Sequence, residues 1–185
     1  AADRAADLDL PLAELGAQTL TALDEVLPSV WPRCNPVDII GDANPERYRK
    51  ALDICLRDPA VDGAIVILTP QAMTRPTEVA ETVIQAAEQS AKPILTSWMG
   101  GNRVQAAHKL FNNAHIPNFR TLENAVDAFS FMASHQRNQR LLLQTPAKIT
   151  RGQRPPDAEG AQLIIKGALG EGRKMLTEPE SIAVL

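Results

Sequence analysis

Ala64-Ile65-Val66-Ile67-Leu68 is apolar at all five positions. A strand with no alternating polar face must be covered on both sides, as a central strand of a parallel sheet is. A chain holding such a strand needs helices on both faces of its sheet. The sequence on either side offers them, along with further short strands.

Before this run, Leu12, Leu15, Leu20, Leu23 and Leu27 recur at helical spacing between Pro11 and Pro28, which predicts a first helix over 12–27. Val37 to Ile40 predicts a short strand ending at Gly41, and Asn44-Pro45 then opens a helix with Asn44 as its N-cap. After the run, Pro76 to about Ser90 carries Val79, Val83, Ile84 and Ala87 on one helical face, and Pro93 to Trp98 reads as the next strand. Asn102 is expected to cap a helix bearing Val104, Ala107, Phe111 and Ala114. Ile116 to Arg120 reads as an edge strand, and Thr121 begins a helix with Leu122, Ala125, Val126, Phe129, Met132 and Ala133.

Strands alternating with helices across short connections define an α/β fold with a doubly wound parallel sheet of flavodoxin-like type. Such a sheet ordinarily opens with a strand, whereas this chain opens with a helix, so the first strand is expected upstream of Ala1 in a longer protein. The domain is expected to occupy 1–145. A Gly/Pro-rich and charged linker follows over 146–157, with Arg151-Gly152-Gln153-Arg154-Pro155-Pro156 at its heart, and a helical tail fills 158–185.

The 185 residues are 44% hydrophobic but only 4% aromatic, so the core must be aliphatic and alanine-rich. With 19 Lys and Arg against 22 Asp and Glu, the net charge of -3 argues against a nucleic-acid binder that relies on a bulk positive field. No apolar run approaches the roughly 20 residues that span a bilayer, and the start AADRAADLDL has no signal core. Cys34 and Cys55 match neither a disulfide framework nor a metal spacing, which makes a reduced, cytoplasmic compartment the expectation.

In open α/β sheets ligands bind beyond the carboxyl ends of the strands. The loops to watch are therefore Gly41-Asp42-Ala43, Thr69-Pro70-Gln71-Ala72-Met73-Thr74 and Met99-Gly100-Gly101-Asn102, each leading into a helix. Helix starts offer free N–H groups and a partial positive charge, which favours an anion, most simply a phosphate. Every doubly wound domain has such starts, however, and neither GxxxxGK[ST] nor GxGxxG is present. Asp38 and Asp42 flank a strand end and could work as paired carboxylates, though Asp beside Gly in a turn more often caps backbone amides. His108 reads as a surface residue, His115 as a helix-ending residue with positive φ, and His135 as part of an exposed polar stretch. No catalytic residue and no metal cluster is expected. Arg137, Arg140, Lys148, Arg151 and Arg154 form a basic stretch explained equally by an acidic partner and by solvation.

NPVDIIGDA, DPAVDGAIVILTPQAMT, KPILTSWMGG and IPNFRTLENAVDAF, in that order, resemble the second ligase-type domain of NDP-forming acyl-CoA synthetases, relatives of succinyl-CoA synthetase. The resemblance implies a parent that interconverts acyl-CoA, ADP and phosphate with acid, CoA and ATP through a phosphohistidine on a mobile loop of another domain. It also implies that the helix entered through Thr69 to Thr77 turns its amino terminus toward that loop. CoA or acetyl-CoA and ATP or ADP with Mg would belong to the parent, none of them to this fragment. Its partners would be CoA-binding, phosphohistidine and ATP-grasp domains of the same chain, with an oligomer allowed. The stretch LFNNAHIPNFRTLENAVDAFSFMASHQRNQRLLLQTP most resembles bacterial protein lysine acetyltransferases that fuse a degenerate synthetase-like, acyl-CoA-sensing region to a GNAT-type domain, which is the preferred parent from sequence. The alternatives are a power-helix subdomain of an active ADP-forming synthetase and, more weakly, a freestanding flavodoxin-like nucleotide binder. His115 departs from the Gly that relatives carry before Ile-Pro.

Overall fold

A computed structural model describes residues 1–144 and 157–184. The chain divides into two compact units, Ala1–Leu143 and Gln144–Leu185. The first unit runs α1 (Ala2–Asp7), α2 (Ala17–Val26), α3 (Pro45–Arg57), β1 (Ala64–Leu68), α4 (Pro76–Gln89), β2 (Ile94–Trp98), a 3-10 turn (Gly101–Val104), α5 (Gln105–Asn113), β3 (Asn118–Phe119) and α6 (Leu122–Leu142). Its three strands are parallel in the order β1-β2-β3, with Val66 opposite Thr96 and Thr96 opposite Asn118.

One face of the sheet, through Val66, Leu68, Ile94 and Trp98, packs on Leu52 of α3, Val79 and Val83 of α4, and Ala107 and Phe111 of α5. The Trp98 and Phe111 rings meet edge to face with centroids 4.8 Å apart, a geometry that adds about 0.5–1.5 kcal/mol beyond area burial. On the other face α6 lies across all three strands, burying Ala125 and Val126. Both faces are thus covered, as the all-apolar β1 requires, and the α/β parallel architecture holds.

Several local expectations fail for identifiable reasons. The helix predicted over 12–27 is not the first, since α1 precedes it, and it does not begin at 12: α2 starts after Gly16, and Leu12 and Leu15 lie outside it. Val37 to Ile40 is not a strand. Asp38 Oδ1 accepts from the Ile40 amide (2.8 Å), Arg47 donates to the Ile39 carbonyl (3.2 Å), and the Ile40 carbonyl accepts from Ala43 N–H (3.0 Å). With φ of 67° at Ile40 the segment turns instead of extending, and Val37, Ile39 and Ile40 pack with Leu23, Leu27, Trp31 and Ala51 between α2 and α3. Nor does Asn102 cap a helix: it sits inside the 3-10 turn, and α5 begins at Gln105 without a side-chain cap. Asn44 and Thr121 do cap, accepting from Arg47 N–H (2.8 Å) and Asn124 N–H (3.4 Å). His115 has φ of 57°, and Ile116 N–H returns to the Phe111 carbonyl (2.9 Å), closing α5 as a left-handed cap.

Asp58 ties the amino-terminal segment to the sheet. Its carboxylate accepts from Thr19 Oγ1 (2.6 Å), Gly16 N–H (2.8 Å) and Ala60 N–H (2.9 Å). The Thr19 hydroxyl, with those amides, holds its pKa below the ordinary carboxylate value. Along β1, Ala64 N–H and the Leu68 carbonyl bond toward β2, so Ile65 and Ile67 turn their backbone groups to the opposite edge. No described strand pairs there; a cleft of about 430 Å³ lined by Leu12, Leu15, Val37, Ile39, Ile65 and Ile67 runs beside it.

The second unit contains α7 (Ala158–Gly170) and α8 (Glu178–Val184). Asp157 caps α7 through Gly160 N–H (2.9 Å), so the helix forms despite its three glycines. Arg173 forks onto Glu180 (2.8 and 2.7 Å) and brings that carboxyl down to about 2. The 146–157 linker falls almost wholly outside the described residues, as do Lys148, Arg151 and Arg154. Among the described residues no helix is long and apolar enough to cross a membrane.

Candidate functional site at the carboxyl ends of the strands

The three loops singled out from sequence come together. Met99 N–H bonds to the Leu68 carbonyl (2.9 Å), prolonging the β1–β2 ladder by one step and setting the two exits side by side. Arg103 then reaches across, donating to the Pro70 (3.2 Å) and Gln71 (2.5 Å) carbonyls. A Cβ on Gly100 would sit 2.6 Å from Pro70 Cγ, and one on Gly41 2.5 Å from Gln71 Nε2. At Gly100 the stiff proline ring leaves no room for a side chain, whereas at Gly41 the contact is with the movable end of Gln71. Gly101 is different: its φ of 56° calls for glycine although nothing lies near it.

The segment between β1 and α4 is internally closed. Thr74 Oγ1 accepts from Gln71 N–H (2.9 Å), and Thr74 N–H returns to the Gln71 carbonyl (3.1 Å). Its tip, Gln71-Ala72-Met73, is exposed. The start of α4 is held by Trp98, whose indole N–H donates to the Pro76 carbonyl (3.3 Å). Arg75 occupies the N-cap position and Pro76 the first turn, with no side chain capping the helix. The first intrahelical bond comes from Val79 N–H to the Arg75 carbonyl. Thr77 and Glu78 N–H groups therefore remain free at the positive end of the helix.

Asp38 and Asp42 are not a carboxylate pair: Asp38 caps the Ile40 amide and Asp42 is bound by Arg47 (2.5 Å). His108 is half-buried rather than a plain surface residue, with Nδ1 against the Asn118 amide. Burial, then the nearby Arg120, lowers its pKa. His135 is exposed, as expected. Both cysteines are free; Cys34 is exposed, and burial pushes the Cys55 thiol up to about 11, making it a reluctant thiolate. Among the described residues no group of three His, Cys, Asp or Glu is placed to hold a metal ion. Arg103, the side chain that joins two loops, was not singled out from sequence; an Arg two positions beyond a double glycine carries no recognisable signal.

The loops thus meet at the carboxyl edge of a parallel α/β sheet. Residues 1–142 match the family model described as the ligase-CoA domain, and the chain belongs to that family. It is 34% identical over 137 residues to an ADP-forming acetate–CoA ligase I of Archaeoglobus fulgidus, which covers 74% of this chain and 19% of the relative. It is also 28% identical over 163 residues to an ADP-forming 4-hydroxybutyrate–CoA ligase of Nitrosopumilus maritimus, covering 88% of this chain and 23% of that one. Among solved structures, the dinucleotide-forming acetyl-coenzyme A synthetase 1 of Ca. Korarchaeum cryptofilum, in complex with phosphate and ADP, superposes with a TM-score of 0.71 at 26% identity, over 77% of this chain and 32% of that one. The chain thus spans between about a fifth and a third of the length of these relatives.

Proposed function

We propose that this chain is the phosphoryl-facing domain of an ADP-forming acyl-CoA synthetase, in which α4 and the double glycine present backbone dipoles to a phosphohistidine loop delivered by another domain or subunit. One observation carries it: Arg103 bonds two carbonyls of the β1–α4 segment and so sets the uncapped α4 start beside Gly100-Gly101. Free Thr77 and Glu78 amides and Arg103 make that edge receptive to a dianion, while Arg75 is already paired with the Glu78 carboxylate (3.2 Å). Thr69 to Thr74, Gly100, Gly101 and Asn102 border it, while Asp38, Gly41 and Asp42 support it from the α3 side.

The acyl-CoA-sensing region of a lysine acetyltransferase, the parent preferred from sequence, is less well supported, since the similar proteins carry ADP-forming ligase names. CoA, ADP or ATP and Mg are assigned to other parts of the parent, an ATP-grasp domain among them, and the parent to the cytoplasm. Exposed Phe131, Leu141 and Leu142 on α6 suit packing against such neighbours. The open edge of β1 suits one further parallel strand.

The test is acyl-CoA-dependent phosphorylation of ADP by the intact parent. Thr74→Asp keeps an acceptor for Gln71 N–H but adds a negative charge beside the helix start, which should slow transfer about threefold to thirtyfold. The isolated chain should be inactive. Unchanged transfer in the variant would refute the role of this edge. A wild-type parent that binds acyl-CoA yet phosphorylates no ADP would establish the sensing alternative instead.

A further inference from the structure

Toward β3, on the side of β2 away from β1, a second cavity of about 370 Å³ adjoins the phosphoryl-facing edge and shares Gly100 and Gly101 with it, while its side-chain donors lie beyond that edge. Its walls include the Gly101 backbone, Gln105, His108, Lys109 and Asn112 of α5, and Arg120 after β3. Among the described residues no carboxylate lines it. Two fixed cations and three neutral hydrogen-bonding side chains in one concavity are the donor set of an oxyanion site.

The neutral part of this set is organised from the core outward. Thr96 is fully buried on β2, and its hydroxyl bonds to Asn118 Oδ1 (3.1 Å) and the Pro117 carbonyl (3.1 Å). With its oxygen engaged there, the Asn118 amide turns its NH₂ to His108 Nδ1. Acceptance by Nδ1 requires the Nε2–H tautomer, in which the imidazole is a donor on its remaining nitrogen.

We propose that this cavity is a binding site for a phosphate-bearing small molecule or free phosphate, held by Lys109 and Arg120 and oriented by His108 Nε2–H. It stands on the cavity itself and does not require the phosphohistidine-loop reading. Arg supplies a planar fork, and Lys a point charge, to the same dianion.

The probe is inorganic phosphate, titrated into the 185-residue chain at constant ionic strength while the His108 imidazole and Asn112 side-chain amide resonances are followed, with acetate as the carboxylate arm. A saturable shift with phosphate is expected, weakened about tenfold or more by Arg120→Gln or Lys109→Gln, because a lost charged hydrogen bond is worth that factor. Both residues are exposed, so these variants keep the fold. Thr74→Asp should leave this binding unchanged. Saturation by acetate at equal affinity would replace phosphate with a carboxylate ligand and overturn the assignment. So would the absence of a saturable shift up to roughly 50 mM phosphate. Shifts confined to Thr77 and Glu78 and indifferent to Arg120→Gln would also overturn it, while leaving the proposed function intact.

Discussion

Gly100→Ala isolates the contact on which the site depends. The added methyl would lie 2.6 Å from Pro70 Cγ, 2.9 Å from Pro70 Cδ and 3.2 Å from Val104 Cγ1, against about 3.5–4.0 Å for comfortable carbon contacts. The proline ring cannot swing aside and Val104 is buried, so the β1–α4 segment must retreat by roughly 1 Å, at the about 1–3 kcal/mol typical of overpacking. Retreat also stretches the Arg103 bonds to the Pro70 and Gln71 carbonyls. Gly101→Ala is the control: it meets nothing within 4 Å and carries only the left-handed strain at φ of 56°, about 1–2 kcal/mol. Denaturant unfolding should therefore show comparable losses for the two variants. Amide shifts at Gln71 to Thr74 should move for Gly100→Ala alone. Equal displacement of that segment by both variants, or none by Gly100→Ala, would refute the contact.

Other outcomes follow from the same structure. Phe111→Ala removes a fully buried ring from beside Trp98 and should cost about 3–5 kcal/mol in chemical denaturation. His115→Gly relieves a positive φ at the end of α5 and should raise stability by about 1 kcal/mol, read as a higher denaturation midpoint. Asp58 has a lowered pKa, so its contribution is fully present above the unfolded value near 4 and is lost as pH falls through the lower folded value. The wild type should thus lose stability on acidification through that window, and Asp58→Asn, already weaker at neutral pH, should lose less there.

Much of this was legible because local chemistry and tertiary need agreed. The apolar run at Ala64 to Leu68 announced a strand covered on both faces, and Asn44-Pro45 and Thr121 announced helix starts that the structure keeps. His115 was legible from its position alone. Val37 to Ile40 misled because β-branched residues describe burial, not extension: Asp38 and Arg47 claim the backbone groups a strand would use, and a side chain eight positions away is not visible in a propensity. Asn102 misled because the double glycine continues into a 3-10 turn, which postpones the helix to Gln105. The meeting of the loops after β1 and β2 followed from the topology of parallel sheets, whereas that of Gly41 to Ala43, which follow no strand, did not. The side chains that secure it, Arg103 above all, come from long-range geometry that residue types do not encode.

Hydrogen exchange in the intact parent, compared before and after phosphorylation with acyl-CoA and phosphate, tests the central claim most directly. If this edge receives the phosphoryl group, peptides spanning 69–80 and 99–104 become protected on phosphorylation, because the free Thr77 and Glu78 amides gain an acceptor. Phosphorylation that proceeds while those peptides exchange as before would place the receiving surface elsewhere and contradict the account.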